Sequence, residues 1–238
     1  MKKSVCMATY NGEKYVAEQI KSILSQLNEQ DELVISDDHS TDNTVNIIKA
    51  VQDNRIKLTL NECNIGYTKN FERALKNSSG DVIFLSDQDD VWVDKKVEIM
   101  LKKLETCDMV ISNAMIVDTD LKVINESHFD LYKVKSGFWN NFIKTRYIGA
   151  CMAFKKEVLY YALPFPKHHQ YCAHDYWLTI VGEAFFKVDI IETPLLLYRR
   201  HESNASSGGN YSKNRIYKKI IVRAYNIVNL VKVFLKII

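Results

Sequence analysis

The sequence predicts an α/β protein built on a parallel sheet flanked by helices. Two observations carry this. Short apolar runs alternate with segments of helical period through the first half of the chain, and the connections are short enough to join neighbouring elements. Three of these runs also end in polar clusters: TYNGE (9–13), DDHSTD (37–42) and SDQDD (86–90). In open parallel sheets ligands bind outside the carboxyl ends of the strands, so three clusters at three strand ends predict a site on one rim.

SVCMA (4–8) reads as the first strand. Val16, Ile20, Ile23, Leu24 and Leu27 then fall on one helical face. ELVIS (32–36) is the second strand, leading to a turn where Ser40 or Asp42 can cap a helix whose inner face is Val45, Ile48 and Val51. RIKLTL (55–60) is the third strand. Residues 64–80 read as a loop and then a helix that ends near Gly80, a residue suited to a C-cap. DVIFLS (81–86) is the fourth strand, followed by a helix around 94–105 and the strand DMVIS (108–112). The second half is less regular. It holds the aromatic stretch SGFWNNF, the small-residue strand GACMAF (149–154), the loop PFPKHHQY, the apolar HDYWLTIVGEAFF (174–186) and the oily PLLLYRRHESN (194–204). A boundary near residue 113 separates residues 1–112, a nucleotide-type half, from a more variable half, 113–205, sharing the same sheet. A helical tail occupies 206–238.

A chain of 238 residues, 47% hydrophobic and 26% charged, is long enough for one large domain with a sizeable core. The apolar run after Met-Lys-Lys is too short for the central region of a secretory signal. Five scattered cysteines, odd in number and without a CxxC pair, argue against a disulfide framework and a cysteine zinc site, and fit a reducing cytoplasm. Charge is distributed unevenly. Seven of the 32 Lys and Arg lie after Glu202, where there is no acid; the other 25 face all 29 acids, so a body of net −4 carries a tail of +7. A nucleic-acid binder would spread its basic charge over a folded face, so nucleic acid is not expected as a partner. A basic, oily tail fits an anionic membrane surface instead.

Asp87, Asp89 and Asp90 put three carboxylates within four positions. Their ordinary reading is a strand end and a helix cap. One cap needs one acid, however, and three repel one another, a cost that a divalent cation with its preference for oxygen ligands removes. Asp37 and Asp38 have the same helix-entry reading. Alternatively, a carboxylate there accepts a hydrogen bond from a base N–H, while Thr9, Tyr10 and Asn11 on the neighbouring turn stack and orient that base. His174-Asp175 opens an apolar helix. Asp175 there is either a cap near the positive helix end or a general base for an attacking hydroxyl. Tyr198-Arg199-Arg200-His201 is either a solvated basic edge or a holder of pyrophosphate or metal.

MATYNGEKYVAEQIKSILSQ, VISDDHSTDNT, NIGYTKNFERAL and GDVIFLSDQDDVW occur in that order at normal spacing. Together they resemble family 2 glycosyltransferases of the GT-A fold, strongly over residues 4–112 and more loosely through GACMAF, HDYW and YRRHESN to about 205. The resemblance implies a Rossmann-like, mostly parallel sheet and transfer of a sugar from a nucleotide diphosphate to an acceptor hydroxyl, with inversion. Residues 1–112 become the nucleotide-sugar half and 113–205 the acceptor and catalytic half. It assigns Thr9, Tyr10 and Asn11 to the nucleotide pocket, Asp38 to the base, and Lys69 and Asn70 to the donor. Asp87 and Asp89 become the DxD pair, with Asp89 the principal ligand of Mn2+ or Mg2+ and His201 a further metal or diphosphate contact. Asp175 becomes the catalytic base, although HD stands where ED or GD is frequent. LSDQDDVW with YRRHESNAS is similar to a bacterial subset that includes rhamnosyltransferases acting on surface polysaccharides, which implies dTDP-rhamnose or a UDP-sugar as donor.

A saccharide or lipid-linked acceptor fits the tail. Residues 214–238 lack the apolar run of a membrane span but read as an amphipathic helix with Ile216, Ile220, Ile227, Leu230 and Phe234 on one broad side. That helix packs on the body or on a second subunit, or lies on the inner leaflet of the cell membrane; a lipid-linked acceptor favours the leaflet. Two other functions compete. A sugar-phosphate nucleotidyltransferase would carry a glycine-rich basic loop where TYNGEKY has one glycine. A receiver-like binding module would place its paired acids after the first strand, and here they follow the second.

Overall fold

The computed structural model describes residues 1–201 and 216–237. Its strands are β1 (Lys3–Thr9), β2 (Glu32–Asp37), β3 (Ile56–Leu60), β4 (Val82–Asp87), β5 (Val91–Trp92), β6 (Met109–Val117), β7 (Val123–Asn125), β8 (Met152–Lys155) and β9 (Val188–Arg199). The helices are α1 (Val16–Leu24), α2 (Thr44–Ala50), α3 (Tyr67–Lys76), α4 (Lys96–Leu104), α5 (His128–Tyr132), α6 (Phe138–Lys144), α7 (Glu157–Ala162), α8 (His174–Phe185) and α9 (Ile216–Ile237). Short 3₁₀ turns lie at Gly149–Cys151 and His169–Tyr171.

One sheet runs in the order β3-β2-β1-β4-β8-β6-β9-β5, with β7 attached to β6. β1 pairs in parallel with β2 on one side and β4 on the other. These strands are buried along nearly their whole length, as a sheet covered by helices on both faces requires. β8 is antiparallel to both β4 and β6, β5 is antiparallel to β9, and β6 runs parallel to β9. The sheet is mostly parallel, as expected, and turns mixed through its second half.

Val16, Ile20, Ile23 and Leu27 enter the core as their spacing predicts. Three local expectations fail. α2 is anchored by Thr44 and Ile48, while Val51, expected on its inner face, is exposed; Asp42 does serve its start, Oδ1 accepting the Thr44 amide at 3.0 Å. No acid of the 86–90 cluster caps α4, which begins at Lys96 behind a left-handed Lys95. Gly80 is not a C-cap. Its amide donates to Ser4 Oγ at 2.7 Å, and a Cβ there would sit 2.6 Å from the Ser4 nitrogen, so glycine is required by close packing of two backbones.

α9 packs back on the body. Asn226, Leu230 and Val233 are buried, Asn226 Nδ2 donates to Tyr171 O at 2.9 Å, and Tyr225 Oη accepts from the His168 amide at 3.0 Å. The single apolar side expected of the tail is therefore divided. Leu230 faces the body, whereas Ile220, Ile227 and Phe234 are 62%, 49% and 51% exposed. The Ile216 side chain, residues 202–215 with Lys213 and Arg215, the HESN end of the strand motif beyond His201, and Ile238 lie outside the described residues. No described helix is long and apolar enough to cross a membrane.

Candidate active site

Register fixes the rim. Thr9 pairs with Asp37 across β1–β2, and Ala8 pairs with Asp87 across β1–β4, so the three polar turns emerge side by side. The clustered acids then diverge. Asp90 is fully buried; its Oδ1 accepts the Arg199 amide at 3.0 Å and its Oδ2 has no partner. Burial, then Asp89 and Asp87, raise its pKa well above the carboxylate range. Asp89 meets His201 across the sheet, Oδ2 to Nε2 at 2.8 Å, and the His201 ring lies 5.1 Å from that of Tyr15. Asp87 is pushed up to about 7 by burial and by the charges of Asp89 and Asp175, against the pull of Lys96.

Asp175 stands in the first turn of α8, where Oδ1 accepts the Tyr176 amide at 2.7 Å. Gly149 lets the 3₁₀ turn approach it: a Cβ at that glycine would lie 3.3 Å from Asp175 Cβ and 3.1 Å from His174 Nε2. The next residue of that turn, Ala150, accepts from Lys96 Nζ at 2.8 Å. Lys96 is wholly buried, 4.8 Å over the Trp92 ring. Burial pulls its pKa down to about 8, against the charges of Cys151, Asp90 and Asp87. A buried ammonium thus lies behind the acid turn and braces the turn that touches Asp175. His174 stacks on Phe71 at 4.0 Å, and its Nδ1 is buried without a partner.

The other predicted residues divide between contact and scaffold. Tyr10 and Lys69 are exposed. Thr9 is buried and donates to Asp37 Oδ2 at 2.7 Å. Asn11, with φ 47°, accepts the Thr41 amide at 2.8 Å and so fastens the first turn to the second. Asp38 is buried: Oδ1 accepts from Asn61 Nδ2 and the Ile65 amide, and Oδ2 from the Gly66 amide. Three of roughly four carboxylate lone-pair sites are taken, leaving one on Oδ2. Asn70 is buried between Asn61 and Thr9 O. No group of three or more His, Cys, Asp or Glu able to hold a metal occurs among the described residues. Asp89 and His201 offer two donors of types that Mn2+ accepts, so the remaining positions of a metal shell would have to come from a bound diphosphate and water.

Sequence reasoning missed Gln88, Gly12 and Lys96 and misassigned Arg199. Gln88, the spacer of the acid motif, clamps Tyr10: its Oε1 accepts the Tyr10 amide at 2.8 Å and its Nε2 donates to Tyr10 O at 2.9 Å. Gly12 leaves room for that clamp, since a Cβ there would lie 2.3 Å from Gln88 Oε1. Arg199 is neither a solvated edge nor a diphosphate holder. It is buried, donating from Nε to Asp89 O at 2.7 Å and from Nη2 to Glu18 at 2.5 Å, and stacks 4.6 Å from Tyr15. Lys96 did leave a signal. Lys96, Met100 and Leu104 repeat at four-residue spacing, which puts a lysine on the inward stripe of α4.

Residues 4–161 match the family model described as Glycosyl transferase family 2. Among curated proteins the chain is similar to "dTDP-rhamnosyl transferase RfbG" of Shigella flexneri, at 31% identity over 90% of this chain and 78% of that protein. It is also similar to "UDP-Glc:alpha-D-GlcNAc-diphosphoundecaprenol beta-1,3-glucosyltransferase WfgD" of Escherichia coli, at 29% identity over 76% of this chain and 70% of that one. Among solved structures, S. aureus TarS 1-349 in complex with UDP-GlcNAc superposes with a TM-score of 0.74 at 22% identity, over 96% of this chain and 67% of that chain, and shows the same fold.

Proposed function

The chain belongs to glycosyl transferase family 2 and is a nucleotide-sugar glycosyltransferase, and from that premise we propose an inverting, metal-dependent transfer of a hexosyl or deoxyhexosyl group from a UDP- or dTDP-sugar. The acceptor is a saccharide hydroxyl, carried on a lipid diphosphate in the synthesis of a bacterial surface polysaccharide. The name of the Escherichia coli relative supports that acceptor and a UDP-sugar, and that of the Shigella flexneri relative supports a dTDP-sugar. The observation that carries the reading is the meeting at one rim of the Asp89–His201 pair with Asp87, which lies close enough to Asp175 to feel its charge.

In this reading Tyr10 presents its ring to the base and the remaining lone pair of Asp38 accepts from a base N–H. Thr9, Asn11 and Asn70 hold those two turns in place, and Lys69 lies at the open edge. Asp87 and Asp89 face the donor, with Asp89 and His201 holding Mn2+ or Mg2+. When bound, the ion supplies Lewis-acid stabilisation of the leaving diphosphate. Asp175 takes the proton of the acceptor hydroxyl as its oxygen bonds to the anomeric carbon and the sugar–phosphate bond breaks. A carboxylate in that role contributes about 10²- to 10⁴-fold. No covalent intermediate is required.

Asp175→Asn is expected to bind donor normally and to lose transfer by about 10²-fold or more. Thermal-shift titration with UDP-, dTDP- and GDP-sugars, with and without Mn2+, measures the first, and product formation measures the second. Wild-type transfer by that variant would remove Asp175 from the role of base; stabilisation independent of Mn2+ would remove the metal.

A further inference from the structure

α9 is apolar on two sides. The side toward the body carries Asn226, Leu230 and Val233. At 100° per residue Tyr217, Ile220, Ile227, Val231, Phe234 and Leu235 line the flank beside it, about 40° to 140° around the helix from Leu230, each 49% to 67% exposed. Basic residues border that exposed stripe on both edges, Lys219 and Arg223 on one and Lys218, Lys232 and Lys236 on the other. A surface helix in contact with water on its outer side would be polar there.

α6 extends this face independently. Arg223 reaches across from α9 to the carbonyl of Ile143 at the end of α6. Trp139 and Ile143, one turn apart on α6, are 70% and 60% exposed. Between Asp130 and Glu157 the chain has six Lys and Arg and no acid, although Lys155 is paired with Asp108. Two elements far apart in sequence thus present exposed apolar side chains, one a tryptophan, within basic surroundings, on a protein whose first 202 residues are net acidic. Such a combination matches an anionic bilayer interface, where tryptophan sits at the headgroup level and basic residues near the surface are attracted to the lipid charge.

We propose that α6 and α9 together form a docking face for an anionic lipid surface, and that this face adjoins the acceptor side of the catalytic rim. Both helices brace the segment that carries Asp175. Tyr176 Oη donates to Phe142 O in α6 at 2.8 Å, and α9 holds His168 and Tyr171 through Tyr225 and Asn226. A docked enzyme would hold the start of α8 close to the lipid headgroups. The relation to the acceptor rests on the reaction proposed above; the docking itself does not.

Trp139 supplies the test, because Trp92 and Trp177 are buried. The wild-type protein is mixed with phosphatidylglycerol-containing vesicles and with pure phosphatidylcholine vesicles. The expected result is co-sedimentation with the anionic vesicles alone, a blue shift of tryptophan emission, quenching by brominated lipid, and weakening at high salt. Ile227→Glu combined with Val231→Glu, both on the exposed stripe, is expected to lower vesicle binding about tenfold or more while donor hydrolysis in solution is unchanged. Equal partition into neutral vesicles, no emission shift, or binding indifferent to the substitutions would overturn the proposal. So would a dimer by light scattering that the double substitution dissociates, since the face would then join two copies of the chain. Absence of donor hydrolysis in every form would overturn the catalytic reading and leave the docking result standing.

Discussion

Asp87 titrates near neutrality because its burial and two neighbouring acids outweigh the nearby Lys96. The sign of the resulting pH dependence follows from linkage. Below the ordinary value of 3.8 the side chain is protonated in both folded and unfolded chains. Between 3.8 and about 7 the unfolded chain releases the proton and the folded one keeps it, so stability falls as pH rises through that window and stays low above it. Asp87→Asn removes the penalty. The variant is expected to match wild type at pH 4 and to exceed it at pH 8 by on the order of 2 kcal/mol, while binding donor more weakly. Thermal melts of both proteins without added nucleotide or metal, across that range, measure the difference; a constant difference at all pH values would show that Asp87 carries no proton-linked strain. The excess charge of SDQDD was legible in the sequence, because repulsion among adjacent carboxylates needs no structure to anticipate. What balances it was not. Arg199 reaches Asp89 O across 110 positions, a separation that leaves no local pattern, and the period of α4 shows that Lys96 faces inward but not that it faces the acids.

At the level of elements, the parallel half was legible because each strand there is flanked by a helix of clear period, and such alternation admits few arrangements. The direction of β8 was not. Four residues between a 3₁₀ turn and α7 look the same whichever way they run, and only pairing with β4 and β6 sets them antiparallel. The tip of β9 shows what such distant pairing achieves. Arg199 donates to Asp89 O, to Thr119 O in the β6–β7 turn and to Glu18 of α1, while its own amide holds Asp90. One planar side chain therefore joins four segments. Lysine keeps the charge but has no fork with which to reach three acceptors. Arg199→Lys is expected to lose about 3 kcal/mol of stability and to raise the KM for donor, because the acid turn is released from β9. Urea unfolding and donor kinetics read the two effects. An unchanged KM alongside lowered stability would confine Arg199 to holding the fold.

The whole molecule separates its charges by rim. At the amino end of β2 the acids are matched. Lys3 pairs with Asp31 at 2.7 Å, and Glu32, which burial alone would raise, is held down to about 2 by bonds from Lys57, Ser4, the Ser79 amide and Lys2. At the carboxyl ends Asp87 and Asp90 stay raised, in the pattern of a site organised for a ligand rather than for the empty protein. The tail ties this arrangement together. The sequence left open whether it packs on the body, on a second subunit or on a membrane, because period and charge reveal that a face is apolar but not what covers it. With Leu230 and Val233 in the core, and Tyr225 and Asn226 holding His168 and Tyr171, α9 belongs to the support of Asp175. Deleting residues 213–238 is therefore expected to lower Tm by several degrees and metal-dependent donor hydrolysis by roughly ten- to a hundred-fold, since small misplacement of a catalytic group is costly. Donor affinity should hold, because the turns after β1, β2 and β4 make no described hydrogen bond to α9. Ile227→Glu with Val231→Glu should change none of these three quantities, its substitutions lying on the outer side of the same helix. Melting curves, hydrolysis rates and donor titrations on the truncated and doubly substituted proteins separate the two faces, and a truncated enzyme that hydrolyses donor at the full rate would show that α9 supports the membrane face alone.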